Sequence, residues 1–409
     1  MKCRHCQADL HLELIDLGSA PPSNAYLTDL TMRRPEKWFP LRVLVCEKCW
    51  LVQAEEYSRA SELFNEEYAY FSSFVDSWVR HAENLVALAT NRFGLDLSSL
   101  VVEVASNDGY LLQHVRSRGI PCLGIEPTAS TANAARQRGI ETIEKFFGVK
   151  LAQELASQGR TADFTVGINV LAHVPDINDF VSGIATLLKP NGVSVFEFPH
   201  LLSMITERQF DTIYHEHFSY LSFTTVCEIF RLNGLEVFDV EVLGTHGGSL
   251  RVYSQRVDAG KRNVLPTVQS MRSLEARRGL HSREFYQGFA KDVERVKAEF
   301  LYELVAAKRL GKRVAGYGAA AKGNTLLNYA GVKTDLIEFV ADRSTAKQGK
   351  WLPGSRIPIV SEQYLRETKP DLIVLLPWNL RHELLTQLAY AREWGATFLV
   401  TQPSVEIIP

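Results

Sequence analysis

Cysteine is scarce in this chain, six in 409 residues, which is too few for a disulfide scaffold. Long apolar runs are missing as well. None reaches the roughly 18 residues that a membrane-spanning helix needs. No apolar stretch of a secretory signal follows the opening Met1-Lys2-Cys3-Arg4-His5-Cys6, so a cytoplasmic protein with no membrane partner is expected. Nor is there an excess of one charge. Lys and Arg number 45 against 47 Asp and Glu, a formal net charge of -2, and no basic field draws in nucleic acid. Fixed-period repeats and low-complexity tracts are absent too. What remains, 46% hydrophobic and 22% charged residues, is ordinary globular composition, and the length suggests two or three domains.

The few cysteines are informatively placed. Four form two CxxC pairs, Cys3 with Cys6 and Cys46 with Cys49. Each such turn presents two thiolates on one side of a tight loop, and two turns supply four soft ligands for a closed tetrahedral zinc site. With no coordination position left open, that zinc is expected to be structural. The long gap between the pairs is tolerable because loop-closure entropy grows slowly with length. Cys122 and Cys227 stand alone in apolar stretches and read as small buried hydrophobes.

Beyond about residue 94, strands alternate with helices, the pattern of a doubly wound α/β sheet. The run Val101-Val102-Glu103-Val104-Ala105-Ser106-Asn107-Asp108-Gly109-Tyr110-Leu111 is a strand turning into a helix, where small residues admit a ligand to the backbone. The next strand ends in Glu126-Pro127, and an acid there suits a ribose diol. The turn is not G-x-G-x-x-G, so a diphosphate lacks its usual cradle. Its Glu103, Asn107 and Asp108 instead suit a sulfonium and an amino group, which favours S-adenosylmethionine over NAD. Phe146 and Phe147 are candidates to wall the adenine, or equally core residues. Asn169, Val170 and His173 follow a later strand, where ligands of such sheets collect. His200, after Glu197-Phe198-Pro199, is expected to face the same cleft.

A second α/β unit opens at Arg313-Val314-Ala315-Gly316-Tyr317-Gly318. Its small residues can take a phosphate at a helix N-terminus, with Lys322 and Arg251 as cations and Asp342 for a ribose hydroxyl.

These blocks add up to a resemblance. Cys3-x-x-Cys6, Asn24-Ala25-Tyr26-Leu27, Cys46-x-x-Cys49, Tyr68-Ala69-Tyr70, Glu103 to Gly109, Tyr214-His215-Glu216-His217-Phe218-Ser219-Tyr220, His246-Gly247-Gly248-Ser249-Leu250-Arg251 and Gly316 to Asn324 resemble the sugar C-methyltransferases. These enzymes use S-adenosylmethionine to modify nucleoside-diphosphate 4-keto-deoxysugars, in particular at C-3 in antibiotic pathways. The resemblance spans essentially the whole chain. It implies an α/β protein of three parts: a zinc-binding module (1–65), a Rossmann-like methyltransferase sheet (66–240), and a Rossmann-like C-terminal domain (241–409) that helps hold the sugar nucleotide, expected to be dTDP-linked. It also implies His217 as the base, with Glu216, Tyr214 and one of Tyr68 and Tyr70 beside the reacting sugar, and His215 and Asn324 in reach of substrate.

The residue types fit that chemistry. Carbon methylation needs the proton beside a ketone removed by a base working near neutral pH, and donors for the enolate oxygen. The enolate carbon then attacks the methyl in line. His215-Glu216-His217 is not H-E-x-x-H, which excludes zincin chemistry. Methylation at C-5 or on oxygen, or an NAD-dependent sugar-nucleotide oxidoreductase, are the competing expectations.

Overall fold

A computed structural model describes residues 1–57 and 71–409. Three sheets organise it. The first belongs to the head, where Leu12–Ala20, Phe39–Val45 and Val52–Ala54 pair antiparallel. Its last strand comes from far along the chain: Ser219–Tyr220 pairs with Val52–Ala54, setting Val52 against Tyr220 and Gln53 against Ser219.

The central sheet has seven strands, in the order Leu235–Leu243, Ser249–Arg256, Leu188–Pro199, Ala162–Ile168, Val101–Val104, Cys122–Ile125, Thr142–Ile143. Five run parallel. Ser249–Arg256 is inserted antiparallel to both neighbours. All four residues of Val101–Val104 are buried, as a strand covered on both faces requires. One cover is the helix Asp76–Phe93, whose Ala82, Leu85, Val86 and Ala89 repeat at helical spacing and pack with Val101, Val115, Phe164 and Val166. On the other face lie Ile177–Leu187, whose Asp176 side chain caps the Asp179 N–H at 3.0 Å, and Phe223–Leu232. The sheet continues past residue 240 to Arg256, so Arg251 is a central-sheet residue rather than part of the second α/β unit.

Between the central and third sheets, left-handed Gly279 (φ 83°) and Gly288 (φ 92°) separate the helices Pro266–Arg278, Arg283–Tyr286 and Phe289–Arg309. The third sheet, Ile359–Val360, Val340–Ala341, Val314–Tyr317, Leu372–Leu375, Thr397–Val400 and Glu406–Ile408, is parallel except for its last strand.

The head sits in two cores at once. Cys3, Cys46, Cys49 and Leu51 join the cluster that holds Phe196, Phe198 and Phe230 of the central unit. Leu14, Ile15, Val43 and Val52 join the cluster that holds Phe300, Leu326 and Val374. The small head thereby ties both α/β units together. Among the described residues, no helix is long and apolar enough to cross a membrane.

Candidate active site

The head is built on two matching knuckles. The Gln7 N–H donates to the Cys3 carbonyl (3.1 Å) and the Trp50 N–H to that of Cys46 (2.7 Å). The same two residues adopt left-handed φ, 59° and 60°, and turn each chain back so that both thiols of a pair face inward. All four Sγ atoms lie within 4.8 Å of one another, with Cys3–Cys49 and Cys6–Cys46 at 3.5 Å. A tetrahedron of sulfurs around zinc needs separations of about 3.8 Å, so the donor set fits the ion. Gln53 supports the cluster by donating its amide to Cys3 Sγ at 3.3 Å.

At the end of Val101–Val104 the chain alternates into left-handed φ at Ala105 (59°), Asn107 (49°) and Gly109 (77°). Only glycine fits the last position, since a Cβ there would lie 2.4 Å from Ile140 Cδ1. The turn gathers three buried carboxylates. Glu126 accepts the N–H groups of Asn107 and Thr128, each at 2.9 Å. Asp108 accepts the Ser73 hydroxyl and pairs with Arg138 at 3.1 Å, while its Oδ1 has no hydrogen-bond partner among the described residues. Glu103 is 1% exposed, and neither of its oxygens has such a partner. Burial, with Asp108 and Glu126 adding to it, raises the proton affinity of Glu103 well above the usual carboxylate range. Unsatisfied buried carboxylates are costly, and a cationic ligand relieves them. This donor set fits the positively charged end of S-adenosylmethionine.

Other candidates around the turn divide. Pro127 is half-buried beside Glu126. The Tyr110 and Leu111 side chains belong to the core, as does Val170. Phe147 packs edge-on against Phe180 at 5.5 Å, while Phe146 stands half exposed. Asn169 adopts a left-handed φ of 55° and sets its amide nitrogen 3.0 Å from His246 Nε2.

The 214–220 segment is clamped from two sides. The Phe218 N–H donates to the Ala172 carbonyl (2.7 Å), just beyond the 162–168 strand, and the Ala54 N–H of the head donates to the Phe218 carbonyl (3.1 Å). Within it, His217 Nδ1 lies 2.7 Å from the Thr212 carbonyl. A carbonyl only accepts, so Nδ1 carries the proton and Nε2 keeps its lone pair. The His217 ring centroid lies 4.0 Å from that of Tyr214 and 4.6 Å from that of His173. His173 Nδ1 is itself 2.8 Å from the Glu216 carbonyl. Burial, then the neighbouring His173, holds His217 well below the ordinary histidine range, and burial takes His173 down to about 4. Both rings are neutral at pH 7. The Glu216 carboxylate, pushed up to about 7 by burial, lies 2.8 Å through each oxygen from the Asn24 amide nitrogen. Tyr68 and Tyr70 lie outside the described residues.

From the C-terminal unit, Lys322 approaches the same centre. Its ammonium sits 4.6 Å over the Trp378 ring and 3.2 Å from Asn379 Oδ1. Burial brings its pKa down to about 8, against the pull of Asp211. Its charge is felt at both His217 and His246. Asp211, fully buried, accepts the Trp378 indole N–H at 2.7 Å.

Five candidates are engaged elsewhere. His200 faces packing rather than the cleft: its Nε2 lies 2.6 Å from fully buried Glu275, which also accepts the N–H groups of Phe223 and Thr224. His215 points at the Phe39 and Pro40 carbonyls of the head, 3.2 Å from each. Arg251 is spent on Glu197 (2.7 Å) and Glu241 (2.9 Å). Asn324, fully buried, donates to the Ser23 carbonyl at 2.6 Å. Asp342 keeps its strand-end position but accepts the Ala319 and Ser344 N–H groups. Sequence reasoning gave no role to Trp78, His81, Asp211, Trp378 or Asn24. The first two form a wall: Trp78 stacks on His81 at 4.9 Å and meets His246 edge-on at 4.8 Å, while His81 Nε2 lies 2.6 Å from Glu197. Only Asn24 lay in a motif that could have flagged it.

A seven-stranded α/β sheet whose first turn is acidic and lacks the G-x-G-x-x-G phosphate cradle fits one class, an S-adenosylmethionine-dependent methyltransferase. Family models agree part by part, with a zinc binding domain over residues 3–64, a methyltransferase domain over 78–240 and a C-methyltransferase C-terminal domain over 244–403. The C-methyltransferase NovU of Streptomyces niveus is 37% identical over 407 residues, covering 100% of this chain and 96% of its own. This chain belongs to the same family of S-adenosylmethionine-dependent C-methyltransferases with a zinc-binding head. A ubiquinone biosynthesis O-methyltransferase of Chelativorans sp. (strain BNC1) is 27% identical over 94 residues, 23% of this chain and 37% of that protein. Among solved structures, the magnesium protoporphyrin IX methyltransferase of Synechocystis PCC 6803 is 16% identical, covers 44% of this chain and 79% of its own, and has a TM-score of 0.34.

Proposed function

We propose that the substrate is a nucleoside-diphosphate 4-keto-deoxysugar, dTDP-linked, and that the methyl group is placed on C-3, next to the ketone, after His217 removes the proton there. One observation carries this reading. The Thr212 carbonyl fixes His217 in the tautomer whose Nε2 is a base, on a loop tied to the end of the same sheet whose neighbouring strand forms the acidic turn.

Desolvation keeps His217 unprotonated across physiological pH; the same desolvation weakens it as a base, so the C-3 proton must be acidified by donors to the ketone oxygen and the imidazolium stabilised as it forms. The C-3 proton passes to Nε2 and its electron pair moves toward the ketone oxygen. Tyr214, against the His217 ring, supplies a phenol to that oxygen. Glu216 holds a sugar hydroxyl or stabilises the imidazolium that forms. Lys322, cationic in a desolvated place, takes charge on the diphosphate or the enolate. Bound S-adenosylmethionine supplies the electrophilic methyl carbon, and the Glu103–Gly109 turn, with Glu126, would hold it. Water exclusion and alignment supply much of the acceleration.

The test is the product. With a dTDP-4-keto-6-deoxyhexose and isotopically labelled S-adenosylmethionine, carbon NMR is expected to show the new methyl attached to C-3. A methyl on oxygen or on C-5 overturns the assignment.

A further inference from the structure

A side chain of the head, Asn24, touches Glu216 on the loop that carries His217, and the methyl-transfer mechanism so far leaves it without a role. Asn24 follows Pro21-Pro22-Ser23 in the turn before the Leu27–Trp351 bridge. Its amide nitrogen stands 2.8 Å from both oxygens of Glu216, which is 2% exposed. A carboxylate held through both oxygens does not rotate about its last bond, and each N–H contact favours its ionised form.

The position of Asn24 is itself secured from the opposite side. The helix Ala321–Ala330 of the C-terminal unit makes two successive contacts. Asn324 donates to the Ser23 carbonyl at 2.6 Å, and Thr325 donates its hydroxyl to the Ile213 carbonyl at 2.8 Å. One rigid helix therefore fixes both the residue before Asn24 and the residue before Tyr214. It sets the spacing between donor and carboxylate.

We propose that Asn24 is a positioning residue for methyl transfer: it locks the Glu216 carboxylate in one orientation and presents the positive end of its amide dipole to it. The proposal rests on the reading that Glu216 works at the reacting sugar. It gives the head a part in the chemistry that structural zinc alone does not supply. Other titratable groups around Glu216 are few. Tyr214, His215 and His217 share its loop, and His173 meets its carbonyl from the end of the 162–168 strand. Tyr26 approaches from the head, with Lys347 over its ring and Asp342 behind. The two histidines nearest the loop centre, His173 and His217, are neutral at pH 7, which leaves the Asn24 amide as the chief polar support that the carboxylate receives from the head.

Removing the amide shifts the Glu216 equilibrium toward the protonated acid, because burial alone opposes its charge. In the zinc-loaded enzyme with adenosylhomocysteine bound, the Glu216 carboxyl is followed by infrared difference spectroscopy, its band assigned by its loss in Glu216→Gln. Asn24→Ala is expected to move that titration upward by about one pH unit or more. It is also expected to move the acid limb of the kcat profile upward by the same amount and to lower kcat at pH 7 about fivefold or more. Asn24→Ser, which keeps a donor, recovers part of both. Adenosylhomocysteine affinity, set at a different turn, reports that each variant is folded. An unmoved Glu216 titration in a folded Asn24→Ala protein overturns the proposal. A titration that moves while kcat and its profile stay put also overturns it, and places the failure in the role given to Glu216 rather than in the Asn24 contact.

Discussion

At the scale of single residues, the account turns on which buried charges are met and which are left waiting. Glu103 is the clearest of the latter, with two oxygens that find no hydrogen-bond partner among the described residues and a proton affinity raised chiefly by burial. A cation binding beside it favours the ionised form, so the proton must leave as the ligand arrives. The sign follows. Below the raised pKa of Glu103, binding has to expel a proton, so affinity for S-adenosylmethionine grows as pH rises and levels off once Glu103 ionises on its own. Glu103→Gln should flatten that slope and weaken binding about tenfold or more at neutral pH, in line with the loss of a charge-assisted contact. Calorimetric titration across pH reads both. His217 shows the opposite management: its one proton is pinned by a carbonyl and its charge suppressed by burial, which leaves the imidazole neutral at rest.

At the scale of elements, packing decides roles that residue types left open. His200 and Glu197 share a strand end, yet His200 leaves the cleft to meet Glu275, which completes the start of helix Phe223–Leu232 by accepting from Phe223, Thr224 and the Thr224 hydroxyl. Glu275→Ala strips four donors of their acceptor in a dry interior and should destabilise the protein by about 3–5 kcal/mol, measured as a fall in denaturant midpoint, with the position of methylation unchanged. Much of this scale was legible in the chain. The CxxC pairs, the Val101–Val104 strand and its turn, and the alternation of strands and helices follow from local pattern. What was not legible depended on distant partners. Nothing near Ser219 announces that it completes a sheet with Val52–Ala54, because a two-residue strand has no periodicity of its own. Arg251 was expected to serve a phosphate, whereas Glu197 and Glu241 reach it only across the folded sheet.

At the scale of the whole molecule, the zinc head is the part on which the two α/β units converge. It enters both major cores, pairs with the strand that follows His217, and sends Asn24 to Glu216. Stripping zinc should therefore abolish turnover while leaving much of the adenosylhomocysteine affinity, since the cofactor turn belongs to the central sheet. Turnover that survives complete chelation would separate the head from the chemistry. The central claim, that an imidazole from this loop removes a sugar proton beside the ketone, has a direct test that needs no methyl transfer at all. Proton NMR in deuterated water follows the C-3 hydrogen of the keto-sugar nucleotide in the presence of enzyme and adenosylhomocysteine. The account predicts wash-out by the native protein and a loss of about a hundredfold or more in His217→Ala. Exchange at an undiminished rate in the variant, or none in the native protein, would contradict it.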